Sequence, residues 1–156
     1  MKINQKLLIS SFLVISISSL IINDIEAQSI DFEIIGAGNN GEKYENIEII
    51  ENKFDFEKKW KGRVFKDKPA PVINFNKECV VAISRGQCGS GGHGIRIKKV
   101  YEDRGYITIE MVYRNPGDSC RKSWALTNPF ILVRLKNRDL DIEFEKTIEI
   151  YECNYN

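Results

Sequence analysis

The sequence predicts an α+β domain: a mainly antiparallel β-sheet, curled or doubled into a sandwich, with one amphipathic helix packed on it. Three observations carry that expectation. Short apolar or alternating runs, separated by turn clusters, recur from Phe32 to Ile150. One segment, Asn52 to Val64, has helical spacing instead. The 156 residues are 42% apolar and 29% charged, enough to bury one core and too apolar for disorder. With 23 basic and 22 acidic residues the formal charge is +1, so no bulk field favours a nucleic acid or another polyanion.

Residues 1–27 read as a secretory signal peptide. Lys2 and Lys6 give a basic start, Leu7 to Ile22 is uncharged and largely apolar, and Ala27 is a small residue suited to cleavage. The run is short for a spanning helix, and Asn23, Asp24 and Glu26 follow it rather than a basic stop. The expectation is one exported domain, residues 28–156, with no stable membrane span after cleavage. Its destination would be a periplasm, a cell surface or the medium.

Within that domain, Phe32 to Gly36 and Ile47 to Ile50 are β-like runs flanking the turn cluster Gly36 to Gly41, and are expected to form a first hairpin. Phe56, Trp60 and Val64 recur every fourth residue, with Asn52 as N-cap and Asp55 in the first turn, where a carboxylate is favoured. Lys68-Pro69-Ala70-Pro71 cannot continue a helix and leads as an extended connector into Val72 to Phe75. Cys79 to Ser84 is apolar throughout, as in a strand covered on both faces. Gly94 to Tyr101 and Tyr106 to Tyr113 are strands joined by the turn Asp103-Arg104-Gly105, and Phe130 to Leu135 is another strand. After the turn Asn137-Arg138-Asp139, Leu140, Ile142, Phe144, Ile148 and Ile150 alternate with Asp141, Glu143, Glu145 and Glu149, a period of two that excludes a helix.

Export makes disulfides the expected state of Cys79, Cys88, Cys120 and Cys153. If the strands after Cys79 run as a simple meander, the loops holding Cys88 and Cys120 meet at one end of the sheet, and these two pair. Elimination then leaves Cys79 with Cys153, a pair the same meander sets at opposite ends.

The loop Gly86 to Gly94 holds five glycines in nine residues. It runs into a strand, not a helix, and lacks the Lys-Ser or Lys-Thr of a phosphate loop. Cys88 with His93 suggests a thiol nucleophile, but an exported thiol is usually oxidised. A serine triad drawn from Ser84, Ser90 or Ser119 with His93 and Asp103 or Asp118 has no nucleophile elbow to support it. One histidine and four oxidised cysteines are too few for a zinc site, and no cofactor is expected. Glu143, Glu145 and Glu149 alternate with core residues, as a solvated strand face does, and show no contrast of environment that would suit a glycosidase pair. Phe56, Trp60 and Val64 have the spacing of core residues. Trp124 and Phe130, around Asn128-Pro129, suit either inward packing or contact with a partner.

The order of these features resembles a family. A helix with Phe and Trp precedes Lys68-Pro69-Ala70-Pro71-Val72-Ile73-Asn74-Phe75-Asn76-Lys77, followed by a strand ending in Arg85-Gly86. Gly91-Gly92-His93 comes next, and Asn128-Pro129-Phe130 stands before an apolar strand. Over about residues 47–136 this is similar to the PrcB-like domain, a non-catalytic component of bacterial surface protease complexes. The resemblance implies an exported, non-enzymatic protein that supports or stabilises a secreted protease by protein contacts. The candidate contact residues are Gly89, Gly91, Gly92 and His93 in one loop, with Trp124, Asn128 and Phe130 in the other. Two other classes remain to be weighed: a protease inhibitor of the chagasin type, similar in loop layout, and a small Cys or Ser hydrolase.

Overall fold

The computed structural model describes residues 27–63, 68–136 and 139–154. Residues 1–26 of the expected leader, Val64 and the Asn137-Arg138 part of the last turn lie outside the described residues. Among the described residues no helix is long and apolar enough to cross a membrane.

The described residues fold as two four-stranded sheets and one helix. In order, the elements are β1 (Gln28–Ser29), β2 (Phe32–Gly38), β3 (Asn46–Ile50), α1 (Lys53–Arg63), β4 (Cys79–Ser84), β5 (Gly94–Asp103), β6 (Tyr106–Pro116), β7 (Phe130–Leu135) and β8 (Asp141–Tyr151). The first sheet has the order β1-β5-β6-β8 and the second β2-β7-β4-β3. The α+β sandwich read from the sequence is the fold observed.

β4 shows why its sequence is continuously apolar. Cys79, Val81 and Ile83 face the core between the sheets, with Ile107, Ile109 and Val133. Val80 and Ala82 face the opposite way, into a second core with Phe56, Trp60 and Leu132 beneath α1. Central position and cover on both faces leave no site for a polar alternation.

The helix begins as its sequence indicates. Asn52 Oδ1 accepts from the Asp55 backbone N–H at 2.9 Å, and Asn52 Nδ2 donates to Asp55 Oδ2 at 2.7 Å. Phe56 and Trp60 point into the second core, their ring centroids 5.8 Å apart, and Phe75 from the connector packs on Phe56. Trp60 Nε1 donates to the Lys68 carbonyl at 3.0 Å, fastening the connector to the helix.

Strand pairing departs from the sequence reading in two places. β2 and β3 form no hairpin: they occupy opposite edges of the second sheet, with β7 and β4 between them. The strands from Cys79 onward are not a meander either. β5 and β6 form a hairpin through a two-residue turn, with Arg104 at φ 50° and Gly105 at φ 85°, as a type I′ turn requires. β7 then crosses to the second sheet between β2 and β4, and the chain crosses back so that β8 lies parallel to β6. That pairing runs without a shift from Tyr106↔Asp141 to Pro116↔Tyr151. Alternation specifies which face a strand buries, but a strand crossing between sheets shows the same alternation as one turning back on its neighbour.

A half-buried ion pair joins β7 to the start of β4. Arg134 Nη2 donates to both carboxylate oxygens of Glu78 at 2.8 and 2.9 Å, and the Asn74 backbone N–H donates to the same carboxylate at 2.9 Å. These donors, Arg134 first, hold the Glu78 carboxyl below the ordinary carboxylate range. A depressed folded-state value means stability that is fully present above the unfolded value, about 4.3, and is lost as pH falls through the folded value. Glu78→Gln should therefore be less stable than wild type at neutral pH, with a shallower decline below about pH 4.3, so that the two curves converge in acid. Urea unfolding at a series of pH values measures both slopes; parallel curves would exclude this role.

Candidate functional site

Most of the unusual sequence features gather at one end of the sandwich. There β4 ends at Ser84, β6 at Pro116 and β8 at Tyr151, while β5 starts at Gly94 and β7 at Phe130. Arg85, immediately after β4, ties the sheets together at this end. Its Nη1 donates to the carbonyls of Gly94 at 3.3 Å and Arg114 at 2.8 Å, its Nη2 donates to Asn115 Oδ1, and its guanidinium lies 5.1 Å from the Tyr113 ring centroid.

The two loops expected to meet do so. Cys88 and Thr127 exchange backbone hydrogen bonds at 2.7 and 3.1 Å. Thr127 Oγ1 donates to the Ser90 carbonyl at 2.8 Å, and the Gly91 N–H donates to the Ser123 carbonyl at 3.1 Å. Gly92, at φ 89°, packs against Pro116 and accepts from Tyr151 Oη through its carbonyl at 2.7 Å. The positive φ and the close neighbours together account for glycine there.

The sulfur chemistry differs from the expectation. Cys120 is joined to Cys153, with Cα atoms 4.9 Å apart, and not to Cys88. Cys79 and Cys88 are buried thiols. The cause is the parallel course of β8, whose C-terminal end arrives beside the C-terminal end of β6. Cys153 thereby reaches Cys120, two residues beyond Ser119's neighbour Asp118 and just past the end of β6. Cys79, at the start of β4, lies at the other end of that strand from the loops. Glu152 braces the same junction: its carboxylate accepts from the backbone N–H and the hydroxyl of Ser119, and both bonds hold it below the ordinary carboxylate range.

His93 turns inward. Its Nδ1 lies 3.0 Å from Asn115 Oδ1 and its Nε2 lies 3.3 Å from Ser90 Oγ. Because Asn115 Oδ1 also accepts from Arg85, it can only accept from His93, which assigns the imidazole proton to Nδ1 and turns the Nε2 lone pair toward Ser90. This is a hydroxyl–imidazole–amide chain. It differs from the triads considered from the sequence: Ser84 accepts from the Glu42 N–H, Ser119 bonds Glu152, Asp118 pairs with Lys122, and Asp103 sits at the far end of β5. The third member of the Ser90–His93–Asn115 chain is an amide oxygen already bound to a guanidinium, not the carboxylate of a serine triad. Ser90 Oγ is also within 3.3 Å of the Gly91 carbonyl, a competing acceptor for its hydrogen. Cys88 is no better placed as a nucleophile, since burial pushes its thiol up despite the nearby Arg85. Among the described residues no group of three or more His, Cys, Asp or Glu could hold a metal ion.

The candidate contact residues divide sharply. Trp124 is 99% exposed and Leu126 66%, while Gly89 is exposed with open space around its Cα. Gly91 is held against Ser123, Gly92 is exposed but packs on Pro116, and His93 serves the internal chain just described. Asn128 is occupied by its backbone, donating to the Asn39 carbonyl and accepting from the Gly41 N–H. Phe130 is 5% exposed and belongs to the core under α1, so it is not a contact residue. Its place as the first residue of a central strand decides this, and the Pro129 before it gave no sign of which face it would take. Ile148 and Ile150, exposed although they share the apolar alternation of β8, were read from the sequence as core.

Residues 79–136 match the PrcB C-terminal family. That stretch is β4 to β7 with both loops, including Arg85, His93, Cys120 and Trp124. The sequence resemblance reached back to residue 47, so β3, α1 and the connector lie outside the part of the chain that the PrcB C-terminal match covers. The match points to a role associated with a protease complex. No curated protein and no solved structure matches the chain.

Closing a loop over a sequence separation of 33 should make the disulfide worth about 3–4 kcal/mol. Alkylating the unfolded, unreduced protein and mapping the peptides should mark Cys79 and Cys88 and spare Cys120 and Cys153. The double variant Cys120→Ser, Cys153→Ser should lose that stability in denaturant unfolding. Labelling of Cys120 in the unreduced chain would contradict the assignment.

Proposed function

We propose that this chain is an exported, non-catalytic accessory protein that supports or stabilises a secreted or surface protease through protein contacts made at the loop end of its sandwich. The observation that carries the reading is Trp124: an almost wholly exposed indole on a loop fixed at one side by Cys120–Cys153 and at the other by the Thr127–Cys88 bridge. An aromatic held out from a rigid loop loses little entropy on binding, which is how contact anchors are built. The PrcB C-terminal match supports the protease as partner. The disulfide and the leader-like first 27 residues support export. The neutral amide behind His93 supports a bracing role for the Ser90–His93–Asn115 chain.

The test is co-expression with the protease that co-purifies from the native host. Trp124→Ala should weaken the complex by about 2 kcal/mol or more and shorten the survival of the protease, while thermal unfolding of the isolated variant stays unchanged. Loss of activity when the purified protein is added to a papain-like or subtilisin-like protease would favour inhibition of the chagasin type instead. Labelling of Ser90 by a fluorophosphonate, abolished by His93→Ala in a folded protein, would overturn the non-catalytic reading.

A further inference from the structure

Among the described residues four strands have an open edge in this sandwich, and three of them are poor templates for another strand. β1 is two residues long, β3 is five, and β2 carries a register irregularity between Ile34 and Gly36. β8 differs on each count. It is eleven residues long, contains no proline, and keeps one unbroken register with β6 from end to end. Alternate residues along it direct their N–H and C=O groups away from β6, and among the described residues no strand follows β8 in the order of its sheet.

The two faces of that edge have different chemistry. On the outer face Asp141, Glu143 and Glu145 are exposed, Glu145 within the electrostatic reach of Lys98, whereas Glu149 is already engaged by Arg96 and Arg114 at 3.2 and 3.8 Å. On the inner face Lys146 is drawn down to Glu45 at 2.7 Å and over the Tyr113 ring. Glu45 is the residue just before β3, so beyond this contact the opposite sheet ends while β8 continues. Ile148 and Ile150 therefore overhang, 68% and 69% exposed, on the face that elsewhere is core. The overhang leads to Tyr151, whose Oη donates to the carbonyl of Gly92, so the edge is continuous with the loop end described above.

We infer that β8 is a docking edge for an extended segment of a partner protein in which Lys or Arg alternates with aliphatic residues. Such a segment would pair its backbone with the open edge, set its cations beside Asp141, Glu143 and Glu145, and lay its aliphatic side chains over Ile148 and Ile150. Charge complementarity selects this occupant over a second copy of the chain, because two β8 edges brought together would oppose rows of carboxylates. The inference rests on the reading that the protein works by protein contacts, and it specifies the chemistry of one such contact.

The experiment uses the purified exported chain and a blocked, fluorescent peptide of alternating Lys and Val, read by anisotropy and by amide hydrogen exchange. The Lys/Val peptide is expected to bind, to slow exchange within residues 141–151, and to bind less tightly as salt rises. An alternating Glu/Val peptide, and a Lys/Val peptide N-methylated at every second residue, are expected not to bind. The double variant Glu143→Lys, Glu145→Lys should weaken the Lys/Val complex about tenfold, with unchanged exchange protection in β4 showing that the fold persists. Equal binding of the Glu/Val peptide, protection confined to another strand, or no binding at millimolar peptide would overturn the inference. If the peptide fails while Trp124→Ala still shortens the life of the protease, the accessory function stands and the edge is not its docking site.

Discussion

The parallel pairing of β8 with β6 fixes more of this molecule than any other single arrangement. Its unbroken register carries the end of the chain to the loop end of the sandwich, and three unrelated contacts depend on that arrival. Cys153 meets Cys120, Glu152 meets Ser119, and Tyr151 reaches Gly92. A one-residue slip would turn Ile142 and Phe144 out of the core and present Glu143 and Glu145 to it, so the register is held by burial as well as by backbone bonds. Lys146 is consistent with the same register, because only there does an inward cation find Glu45 waiting at the edge of the opposite sheet.

Much of the fold was legible from local pattern. The two-faced burial of β4, the cap at Asn52, the tight turn at Arg104-Gly105 and the alternation of β8 were all written in residues adjacent to the feature they specify. Pairing partners were not. Nothing local to Phe130–Leu135 says that this strand leaves the β5–β6 sheet to insert between β2 and β4, and nothing local to β8 says that it runs parallel to β6. The disulfide followed the topology into error: a meander brings Cys88 to Cys120, while the true crossover brings Cys153. That the two loops would meet was nonetheless foreseeable, since both strand ends were placed correctly, and backbone bonds between Cys88 and Thr127 accomplish what the expected bridge was meant to do.

At the loop end the division between internal and external residues follows from hydrogen-bond demand. Arg85 must satisfy its guanidinium where the sheets converge, and it does so on the Gly94 and Arg114 carbonyls and the Asn115 amide. Asn115 then orients His93, and His93 meets Ser90, so four polar side chains, three from the loop between β4 and β5 and one from β6, are engaged with one another. Residues in such a chain are committed to shape. Those left over, Trp124, Leu126 and Gly89, have no comparable ties, and they form the outward surface. Sequence reasoning grouped both kinds together because they are interleaved along the same two loops.

The near-neutral charge of the chain hides a local segregation that bears on how it would choose a partner. Three cations on β5 and β6 are paired with neighbouring carboxylates: Lys98 with Glu110, Arg96 and Arg114 with Glu149. The acidic residues at the start of β8 stand exposed beside an open backbone edge. Exposed ion pairs of this kind add little stability, so their placement matters more for what they permit than for what they hold. An edge that repels its own copy would remain available to a cationic strand, while an aromatic held out on a rigid loop at the Tyr151 end of the sandwich offers a second, apolar contact. Two modest contacts on one rigid body gain from each other, because the first to form holds the second near its target. A scaffold that presents both on one rigid body is suited to holding another protein.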